Sequence, residues 1–207
     1  TNECELTLVE GVNLNLNPAT HAAFFISSLA SPSGRSYFFD RRADGMGRGE
    51  ACCSVLWDAE SRERPTGITL AGAAVRQDGR SSSLTAPNGP AQQHLLFSTM
   101  QDAGSSTNDI TWCEAHGTGT KLGDPVEAGS MTKTILDGQP SSHRPLFAVG
   151  GLKANTGHTE GASGMPGLLK TVIVLKSQQI PTNALLRALN PHVHAIVSGQ
   201  SLCFLCV

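Results

Sequence analysis

The sequence lacks both a strong charge of one sign and a long apolar run. Its 207 residues include 15 basic and 17 acidic side chains, for a net charge of −2, and no cluster of lysine and arginine stands out. This balance speaks against a nucleic acid or an anionic membrane as the partner. No apolar stretch approaches the length needed to cross a bilayer, and the N-terminus has no basic region followed by an apolar run. The sequence therefore predicts no membrane span and carries no targeting signal of its own.

The cysteines lack the spacing of a disulfide framework or of a metal site. Most of the six lie in apolar, strand-like runs, which favours free, buried thiols in a reducing compartment. Cys203 and Cys206 have the spacing of a metal knuckle, but the sequence offers no second pair. We therefore expect neither disulfides nor a bound metal.

Composition and patterning predict a turn-rich α/β protein. A hydrophobic content of 39% in 207 residues suffices for a sizeable core, and 22 glycines with 11 prolines suit many turns. The pattern changes near residue 80, so residues 1–79 and 80–207 are predicted to belong to different halves. We expect strands at 6–16, 51–57 and 68–75, a helix at 18–29, a charged loop at 58–64, and a helix from Asn88 that stops at Gly104.

Two histidine motifs are the most informative features of the chain. Glu-Ala-His-Gly-Thr-Gly-Thr (114–120) and Lys-Ala-Asn-Thr-Gly-His-Thr-Glu-Gly (153–161) each follow a short strand-like run and lead through glycines into a helical pattern. Strand-to-helix turns of this kind are where α/β proteins keep their chemistry. The first motif is not a phosphate-binding P-loop, because no Gly-Lys-Ser/Thr ends it. His116 and His158 are therefore candidate functional residues.

The helices that follow these motifs carry their own predictions. Asp124 is predicted to cap the first of them, with Pro125 in its first turn and Glu127 completing a capping box. His158 is predicted to lie at the N-terminus of the second, where the helix dipole lowers the pKa of an imidazole and keeps it neutral. A neutral imidazole can donate one hydrogen bond without carrying a full positive charge.

Further strings along the chain match one family in order and spacing. They are Leu-Val-Glu-Gly-Val-Asn (8–13), Phe-Asp-Arg-Arg-Ala-Asp-Gly (39–45), Gly-Arg-Gly-Glu (47–50), Gln-Asp-Gly-Arg-Ser (77–81), Thr-Ala-Pro-Asn-Gly-Pro-Ala-Gln (85–92) and Asn-Pro-His (190–192). With the two histidine motifs, they make the chain resemble the β-ketoacyl synthase (ketosynthase) domains of polyketide synthases. The resemblance implies a thiolase-like α/β fold with α/β/α/β/α layers, of which this chain would form the end of the first half and most of the second.

The same resemblance shows what is absent. Family members share a Thr-Ala-Cys-Ser-Ser turn that holds the nucleophilic cysteine, and no such string occurs here. Cys4 aligns with a non-catalytic cysteine that follows that turn, so we expect a fragment that begins after the nucleophile and is inactive by itself. A glycine- and phenylalanine-rich loop should follow Asn-Pro-His, but residues 198–207 read differently, so we expect the family pattern to end near residue 197.

The resemblance assigns the histidines to a decarboxylative Claisen condensation. When a malonyl thioester loses carbon dioxide, negative charge develops on the thioester oxygen of an enolate, and two N–H donors aimed at that oxygen lower the barrier. His116 and His158 are the implied donors. Lys153 matches a family lysine that organises the site, and Glu160 is a candidate ionic or hydrogen-bonding partner of Lys153.

The resemblance also implies the partners. No cofactor would be bound, because the substrate would arrive on the phosphopantetheine arm of an acyl carrier protein, with Thr118 and Thr120 as contacts to that arm. The intact domain would form a homodimer. It would be located in the cytoplasm or, if an upstream transit peptide exists, in a plastid.

Three classes of function remain open on the sequence alone. The first is part of an active ketosynthase of polyketide or fatty-acid biosynthesis. The second is a degenerate ketosynthase, or a partner similar to a chain-length factor, that binds acyl carrier protein without catalysis. The third is a metal hydrolase with His116, His158 and Glu160 as ligands, against which the lack of a compact ligand motif argues.

The remaining polar residues are expected to serve the structure. Arg48 is expected to pair with Glu50, and Asp78 with Arg80, as ion pairs or turn-formers. Structural hydrogen bonding is also the expectation for the other histidines, which are His21, His94, His143, His192 and His194.

Overall fold

The computed structural model describes residues 4–59, 67–81, 86–137 and 146–206. Within these ranges the chain forms five strands and six α-helices, in the order β1 (Leu6–Asn13), α1 (Pro18–Ile26), β2 (Ala51–Asp58), α2 (Gly89–Asp102), β3 (Trp112–Glu114), α3 (Gly123–Met131), β4 (Phe147–Gly150), α4 (Lys153–Thr156), α5 (Gly164–Ser177), α6 (Pro191–Val197) and β5 (Leu202–Cys203). A π-helical turn, Thr132–Leu136, continues α3. Most of the predicted charged loop, part of the string at 85–92, and His143 lie outside the described residues.

The first two strands form an antiparallel pair, with Val9 of β1 opposite Val55 of β2. The strand predicted at 68–75 is wrong, because the described residues between 67 and 81 contain neither helix nor strand. The Asp102 carboxylate accepts a hydrogen bond of 2.8 Å from the N–H of Ala73, and a Cβ on Gly72 would lie 2.6 Å from the Ala103 nitrogen. This segment, which precedes α2 in the sequence, therefore packs against the C-terminal end of that helix without forming a strand.

A parallel sheet of three strands carries both histidine motifs. β4 lies in the centre, between β3 and β5, and all its residues are buried, as expected of a central parallel strand. β3 and β4 point the same way, with Glu114 opposite Gly150. The chain therefore leaves both strands at the same edge of the sheet, which brings the start of one motif next to the start of the other.

The residues after 197, where the sequence predicts that the family pattern ends, join this sheet. β5 pairs with β4, and the Phe204 ring packs edge-on against Phe39 with 5.1 Å between ring centroids. The Leu205 carbonyl accepts a hydrogen bond of 2.7 Å from the N–H of Asn183. This segment therefore contributes apolar surface to the core.

The core is built around two neighbouring aromatic rings, Phe38 and Phe39, whose centroids are 4.0 Å apart. A Cβ on Gly117 would lie 2.6 Å from the Phe38 ring, and a Cβ on Gly151 would also collide with that ring. The first motif, at Gly117, and the turn directly before the second motif, at Gly151, therefore pass close to Phe38 at glycines. The other fully or nearly buried apolar members are Ala115, Ala128, Met131, Ile135, Leu136, Phe147, Val149, Ala154, Leu186 and Val193.

Several helix limits agree with the sequence. α2 is capped by Asn88, whose side chain accepts a hydrogen bond from the N–H of Ala91, and it ends two residues before Gly104. α5 ends at Ser177, and the next residue, Gln178, adopts the left-handed conformation. α1 ends at Ile26, three residues earlier than expected. Among the described residues, no helix combines the length and the apolar character that a membrane crossing requires.

The cysteines are free, but the prediction that they are buried is wrong. Cys4, Cys52 and Cys206 are exposed, and Cys53, Cys113 and Cys203 are only partly buried. Cys52 is exposed because side chains alternate along β2, where every second residue faces outward.

Candidate active site

The two motifs bring their histidines together, as predicted. The ring centroids of His116 and His158 lie 5.3 Å apart and the rings are nearly perpendicular, at 86°. Both rings line a groove of about 720 Å³, together with Thr118 and Thr120. An adjoining cavity of about 400 Å³ is lined by His116 and Lys153. The predicted residues therefore share one region, although 42 positions separate the two histidines.

The first motif is held by two carboxylates from α3. The Glu127 carboxylate accepts hydrogen bonds from the N–H groups of His116, at 2.6 Å, and Gly117, at 2.9 Å. The Asp124 carboxylate accepts from Phe39, at 2.8 Å, and Gly119, at 3.0 Å. The N–H groups of His116, Gly117 and Gly119 belong to the tight turn of the motif and have no strand partner, so side chains must satisfy them.

The predicted capping box at the start of α3 is therefore wrong. The residue before the helix is Leu122, whose side chain makes no capping hydrogen bond, and the carboxylate of Asp124 is used elsewhere. Asp124 and Glu127 instead accept hydrogen bonds from the turn of the motif. Water can satisfy the N–H groups at an exposed helix start, whereas an N–H group without an acceptor inside the protein costs free energy.

The two threonines of the first motif lie along the groove. Thr118 is buried and Thr120 is partly buried, and their hydroxyl oxygens are 3.3 Å apart. The Thr120 hydroxyl also accepts a hydrogen bond of 3.1 Å from the N–H of Gly123. Both hydroxyls therefore stand at the groove with fixed orientations.

The second motif is anchored by a segment from the first half of the chain. The N–H of His158 donates to the Gly47 carbonyl at 2.6 Å, and the N–H of Gly49 donates to the His158 carbonyl at 2.9 Å. The chain approaches closely here, because a Cβ on Gly157 would lie 2.8 Å from the Arg48 carbonyl oxygen. Gly157 also has a φ of +75°, which favours glycine. Residues 47–49 thus act as a short strand partner for His158.

His158 does not lie at the N-terminus of the long helix α5, so the predicted effect of that helix's dipole on its pKa is wrong. α4 ends at Thr156, a single 3₁₀ turn covers Glu160–Ala162, and α5 begins only at Gly164. The pKa of His158 is nevertheless lowered, by burial and by the positive charge of Lys153, while Glu160 acts in the opposite direction. This shift favours the neutral imidazole that the sequence predicts, but its physical cause is different.

His116 is also held neutral. Part of its side chain is exposed to the groove. Loss of solvation on its packed side, followed by the charges of Lys153 and His158, lowers its pKa to about 4. Both imidazoles are thus neutral at physiological pH and can each donate one hydrogen bond.

The ring of His158 has a defined hydrogen-bond partner. Its Nδ1 accepts a hydrogen bond of 2.9 Å from the N–H of Glu160. A neutral imidazole has one donor and one acceptor nitrogen, so the proton is assigned to Nε2. The remaining nitrogen is therefore the donor available to a ligand.

Lys153 is buried among carboxylates. Burial lowers its pKa, and the charges of Glu127 and Glu114 oppose that shift. Glu114 accepts a hydrogen bond of 2.6 Å from the N–H of Leu152 and forms an ion pair of 2.6 Å with Lys170. Glu114 thus fixes the turn directly before Lys153. Glu114 is not among the residues predicted for the site, although its position at the end of β3 within the first motif was the available signal.

Glu160 does not pair with Lys153, and Arg48 does not pair with Glu50, so both predictions are wrong. The Glu160 carboxylate instead binds the Arg48 guanidinium, at 2.8 Å from Nε and 2.7 Å from Nη2. The Glu50 carboxylate accepts a hydrogen bond of 2.7 Å from the N–H of Asn15. The fold brings residues 48 and 160 together through the strand-like contact at His158.

Cys113 lines the groove as well, but it is unsuited to act as a nucleophile. Burial, together with the charges of Glu127 and Glu114, raises the pKa of its thiol to about 12. The thiolate is the reactive form of cysteine, so this side chain stays protonated and inert near neutral pH.

In the part of the chain that the structure describes, no group of three or more histidine, cysteine, aspartate and glutamate side chains could hold a metal ion. The Glu160 carboxylate, which the metal-hydrolase hypothesis requires as a ligand, is bound to Arg48. The site therefore consists of two neutral hydrogen-bond donors, a buried cation and a groove lined by both hydroxyl and apolar side chains.

Comparison with family models then identifies the chain. The model of the β-ketoacyl synthase N-terminal domain matches residues 1–62, and that of the β-ketoacyl synthase C-terminal domain matches residues 68–187. The chain belongs to the β-ketoacyl synthase family. The two matches meet between residues 62 and 68, whereas the sequence pattern placed the change of halves near residue 80.

Curated relatives of this ketosynthase chain are polyketide synthases. A phenolphthiocerol/phthiocerol polyketide synthase of Mycobacterium tuberculosis is 41% identical over 197 residues, which cover 93% of this chain and 10% of that protein. A non-reducing polyketide synthase of Penicillium brevicompactum is 40% identical over 204 residues, covering 97% of this chain and 8% of that protein. The chain thus spans a tenth or less of the length of these relatives.

A solved ketosynthase structure shows the same fold. The oxazolomycin ketosynthase domain of Streptomyces albus superposes with a TM-score of 0.88 at 28% identity, over 98% of this chain and 35% of that one. The predicted thiolase-like α/β fold is confirmed.

Proposed function

We propose that this chain supplies the enolate-binding part of the active site of a polyketide-synthase ketosynthase. In the proposed reaction, a malonyl-type thioester loses carbon dioxide and becomes an enolate. The enolate carbon then attacks an acyl group carried on a cysteine outside these 207 residues, and a β-ketoacyl thioester forms as the cysteine thiolate leaves. The observation that carries the proposal is the meeting of two neutral imidazoles, 5.3 Å apart, at one groove.

The two imidazoles suit an oxygen that gains charge during the reaction. Donors fixed in advance about 2.7–3.1 Å from such an oxygen stabilise the transition state more than the substrate. Nε2 of His158 is such a donor, because its Nδ1 is already occupied by the N–H of Glu160. The spacing of the His116 and His158 rings is short enough for one ligand oxygen to lie within reach of both.

The buried Lys153 supports this arrangement electrostatically. Burial is the main cause of the lowered pKa of both His116 and His158, and the positive charge of Lys153 lowers both values further, which favours neutral imidazoles. The same charge attracts a carboxylate before decarboxylation and an enolate after it. Neutral donors next to a fixed cation therefore provide the environment that the enolate requires.

The groove suits an extended, uncharged arm. Thr118 and Thr120 provide hydroxyl groups along it, and Leu95, Leu96 and Met131 provide apolar surface. A phosphopantetheine arm has amide and hydroxyl groups separated by short apolar segments, which matches this lining. We propose that an acyl carrier protein delivers the substrate, and that the intact domain acts as a homodimer.

Single alanine substitutions in the intact ketosynthase domain test the proposal. His116→Ala or His158→Ala removes one donor to the enolate oxygen but leaves the cysteine able to take up its acyl group. Decarboxylation of the malonyl thioester should fall by roughly two to three orders of magnitude, the typical loss for one oxyanion donor, while self-acylation persists. Release of labelled carbon dioxide and intact-mass analysis of the acyl-enzyme measure the two steps separately.

His94→Ala is the matched control, because His94 is exposed on α2 and does not line the groove. This variant should retain both steps. If both site variants lost acyl loading as completely as decarboxylation while remaining folded, the histidines would serve the nucleophile and the enolate assignment would be abandoned.

A further inference from the structure

Glu160 has an unusual backbone conformation next to His158. Its φ is +44°, in the left-handed region that glycine and asparagine adopt far more readily than other residues. Such strain persists only where the surrounding contacts hold it, and it concentrates at functional sites. The contacts of Glu160 should therefore show what its conformation serves.

Glu160 makes one contact through its backbone and another through its side chain. Its N–H donates to Nδ1 of His158 at 2.9 Å. Its Oε1 accepts a hydrogen bond of 2.8 Å from Nε of Arg48, and Nη2 of Arg48 lies 2.7 Å from the same oxygen as part of the ion pair. The left-handed turn thus lets one residue face the imidazole with its N–H and the guanidinium with its carboxylate.

Arg48 is itself held firmly. Its side chain is only 8% exposed, and the guanidinium lies over the ring of Phe24 at 5.3 Å from the ring centroid. Its backbone neighbours, Gly47 and Gly49, exchange hydrogen bonds with the backbone of His158. Arg48 therefore links the backbone of the histidine to the residue that contacts its ring.

We propose that Arg48 and Glu160 are positioning residues that select the Nε2–H form of His158 and direct that N–H into the groove. The hydrogen-bonded contact between Arg48 and Glu160, through its geometry and not its charge, holds the Glu160 backbone in the conformation that presents its N–H to Nδ1. While that hydrogen bond exists, the proton of the neutral ring must reside on Nε2. The use of the Nε2–H form in condensation rests on the proposed function, but the selection of that form by Arg48 and Glu160 does not.

A purely structural ion pair leads to a different expectation. Such a pair would alter the stability of the chain when removed, but the folded fraction would keep the same imidazole form. A positioning pair alters the imidazole in molecules that are still folded. The ring nitrogens of His158 and the backbone N–H of Glu160 are therefore the informative probes.

Nitrogen NMR of the full 207-residue chain, with isotope-labelled histidine, tests the proposal at about pH 8, above the ordinary histidine pKa of about 6.5. The unsubstituted chain should show Nδ1 of His158 as a hydrogen-bonded acceptor and Nε2 as protonated. Arg48→Met and Glu160→Ala should both shift these signals toward a mixture of the two neutral forms. Hydrogen exchange of the residue-160 amide should also become at least about tenfold faster, as expected when one hydrogen bond is lost.

Two further variants separate charge from geometry. Glu160→Gln keeps an acceptor for Arg48 without the negative charge, so it should retain most of the selectivity for Nε2–H. Arg35→Met removes another arginine, which is exposed, and should leave the His158 signals unchanged. Should Arg48→Met fail to fold, Arg48→Lys keeps the charge but loses the two-nitrogen contact, and the same shift is expected.

Unchanged ring signals in folded Arg48→Met or Arg48→Lys and in folded Glu160→Ala would overturn the proposal. It would also be overturned if Glu160→Gln behaved like Glu160→Ala, because the carboxylate charge would then be the cause. These outcomes are independent of the proposed reaction. If the ring form depends on the pair but condensation survives loss of His158, it is the proposed function that fails.

Discussion

Asp40 offers a quantitative test of how the two halves of the chain are joined. Its carboxylate is fully buried and accepts hydrogen bonds from five donors. Oδ1 accepts from the backbone N–H of Arg42 at 2.9 Å and from its Nε at 2.7 Å. Oδ2 accepts from Nη2 of Arg42 at 3.2 Å and from the N–H groups of Arg187, at 2.8 Å, and Ala188, at 3.1 Å. One carboxylate thus ties the segment after Phe39 to the segment before α6.

Replacing Asp40 by asparagine turns one of these oxygens into an NH₂ donor. In either orientation of the amide, the new NH₂ group faces at least two of the N–H donors that the carboxylate oxygen had accepted from. Burying an unsatisfied donor costs about 1–3 kcal/mol each, but the Arg42 side chain, 38% exposed, can recover some bonding from water. We therefore expect Asp40→Asn to lower the free energy of unfolding by about 2–4 kcal/mol.

The effect should depend on pH in a defined direction. Burial by itself would raise the pKa of Asp40, but hydrogen bonds from the Arg42 side chain and from the N–H groups of Arg187, Arg42 and Ala188 hold it well below the usual 3.8. The unfolded chain therefore takes up a proton first as the pH falls. The stabilisation by the Asp40 carboxylate is present above pH 3.8 and is lost as the pH falls below it. The difference in free energy of unfolding between the unsubstituted chain and Asp40→Asn should therefore narrow below pH 3.8.

Urea unfolding of the 207-residue chain, followed by circular dichroism at neutral and acidic pH, measures these differences. Asp78→Asn is the control, because Asp78 is exposed and a surface substitution usually changes stability by less than about 0.5 kcal/mol. If Asp40→Asn unfolded within about that margin of the control, the buried carboxylate would not hold the two segments together and the hydrogen-bond argument would be refuted.

Two further predictions concern the histidine pair. In an NMR pH titration of the chain, His116 should titrate near pH 4 and His158 below the ordinary value of 6.5. Because the unfolded chain binds these protons at higher pH than the folded chain does, the free energy of unfolding should decline as the pH falls from about 6.5 toward 4. Titration of both histidines at the ordinary value would contradict the electrostatic account. Glu127→Gln should lower the free energy of unfolding by about 1–3 kcal/mol and shift the ring signals of His116, because only one of the two carboxylate oxygens remains an acceptor for the N–H groups of His116 and Gly117. Glu10→Gln, at an exposed position of β1, is the control; equal effects of both substitutions would show that the loss is not specific to the site.

The family resemblance implied that His116 and His158 converge, and the sheet explains why they do. Each motif comes directly after a short strand, and because these two strands are parallel neighbours, both motifs begin at the same edge of the sheet. The sequence indicated the strand before each motif and placed Lys153 five positions before His158, but it did not show that the two strands pair.

Contacts between charged residues were decided only by the tertiary structure. Arg48 lies next to Glu50 in the sequence but pairs with Glu160, and Glu160 lies near Lys153 but does not bind it. Short separation along the chain does not determine which charges meet, because an ion pair depends on the direction of the side chains after the backbone has folded. The sequence contained both residues but not the approach of residues 47–49 to His158.

The same limit explains why the predicted cap of α3 and the predicted cause of the low histidine pKa were wrong. Asp124 and Glu127 have the spacing of a capping box, yet they bind the buried N–H groups of the first motif, at His116, Gly117 and Gly119 among others. Burial and the charge of Lys153, not a helix terminus, set the pKa of the imidazoles. The sequence determined which groups could donate, accept or carry charge. Only the folded structure decided which of them lost water, and that loss of solvation selects the partners and shifts the protons.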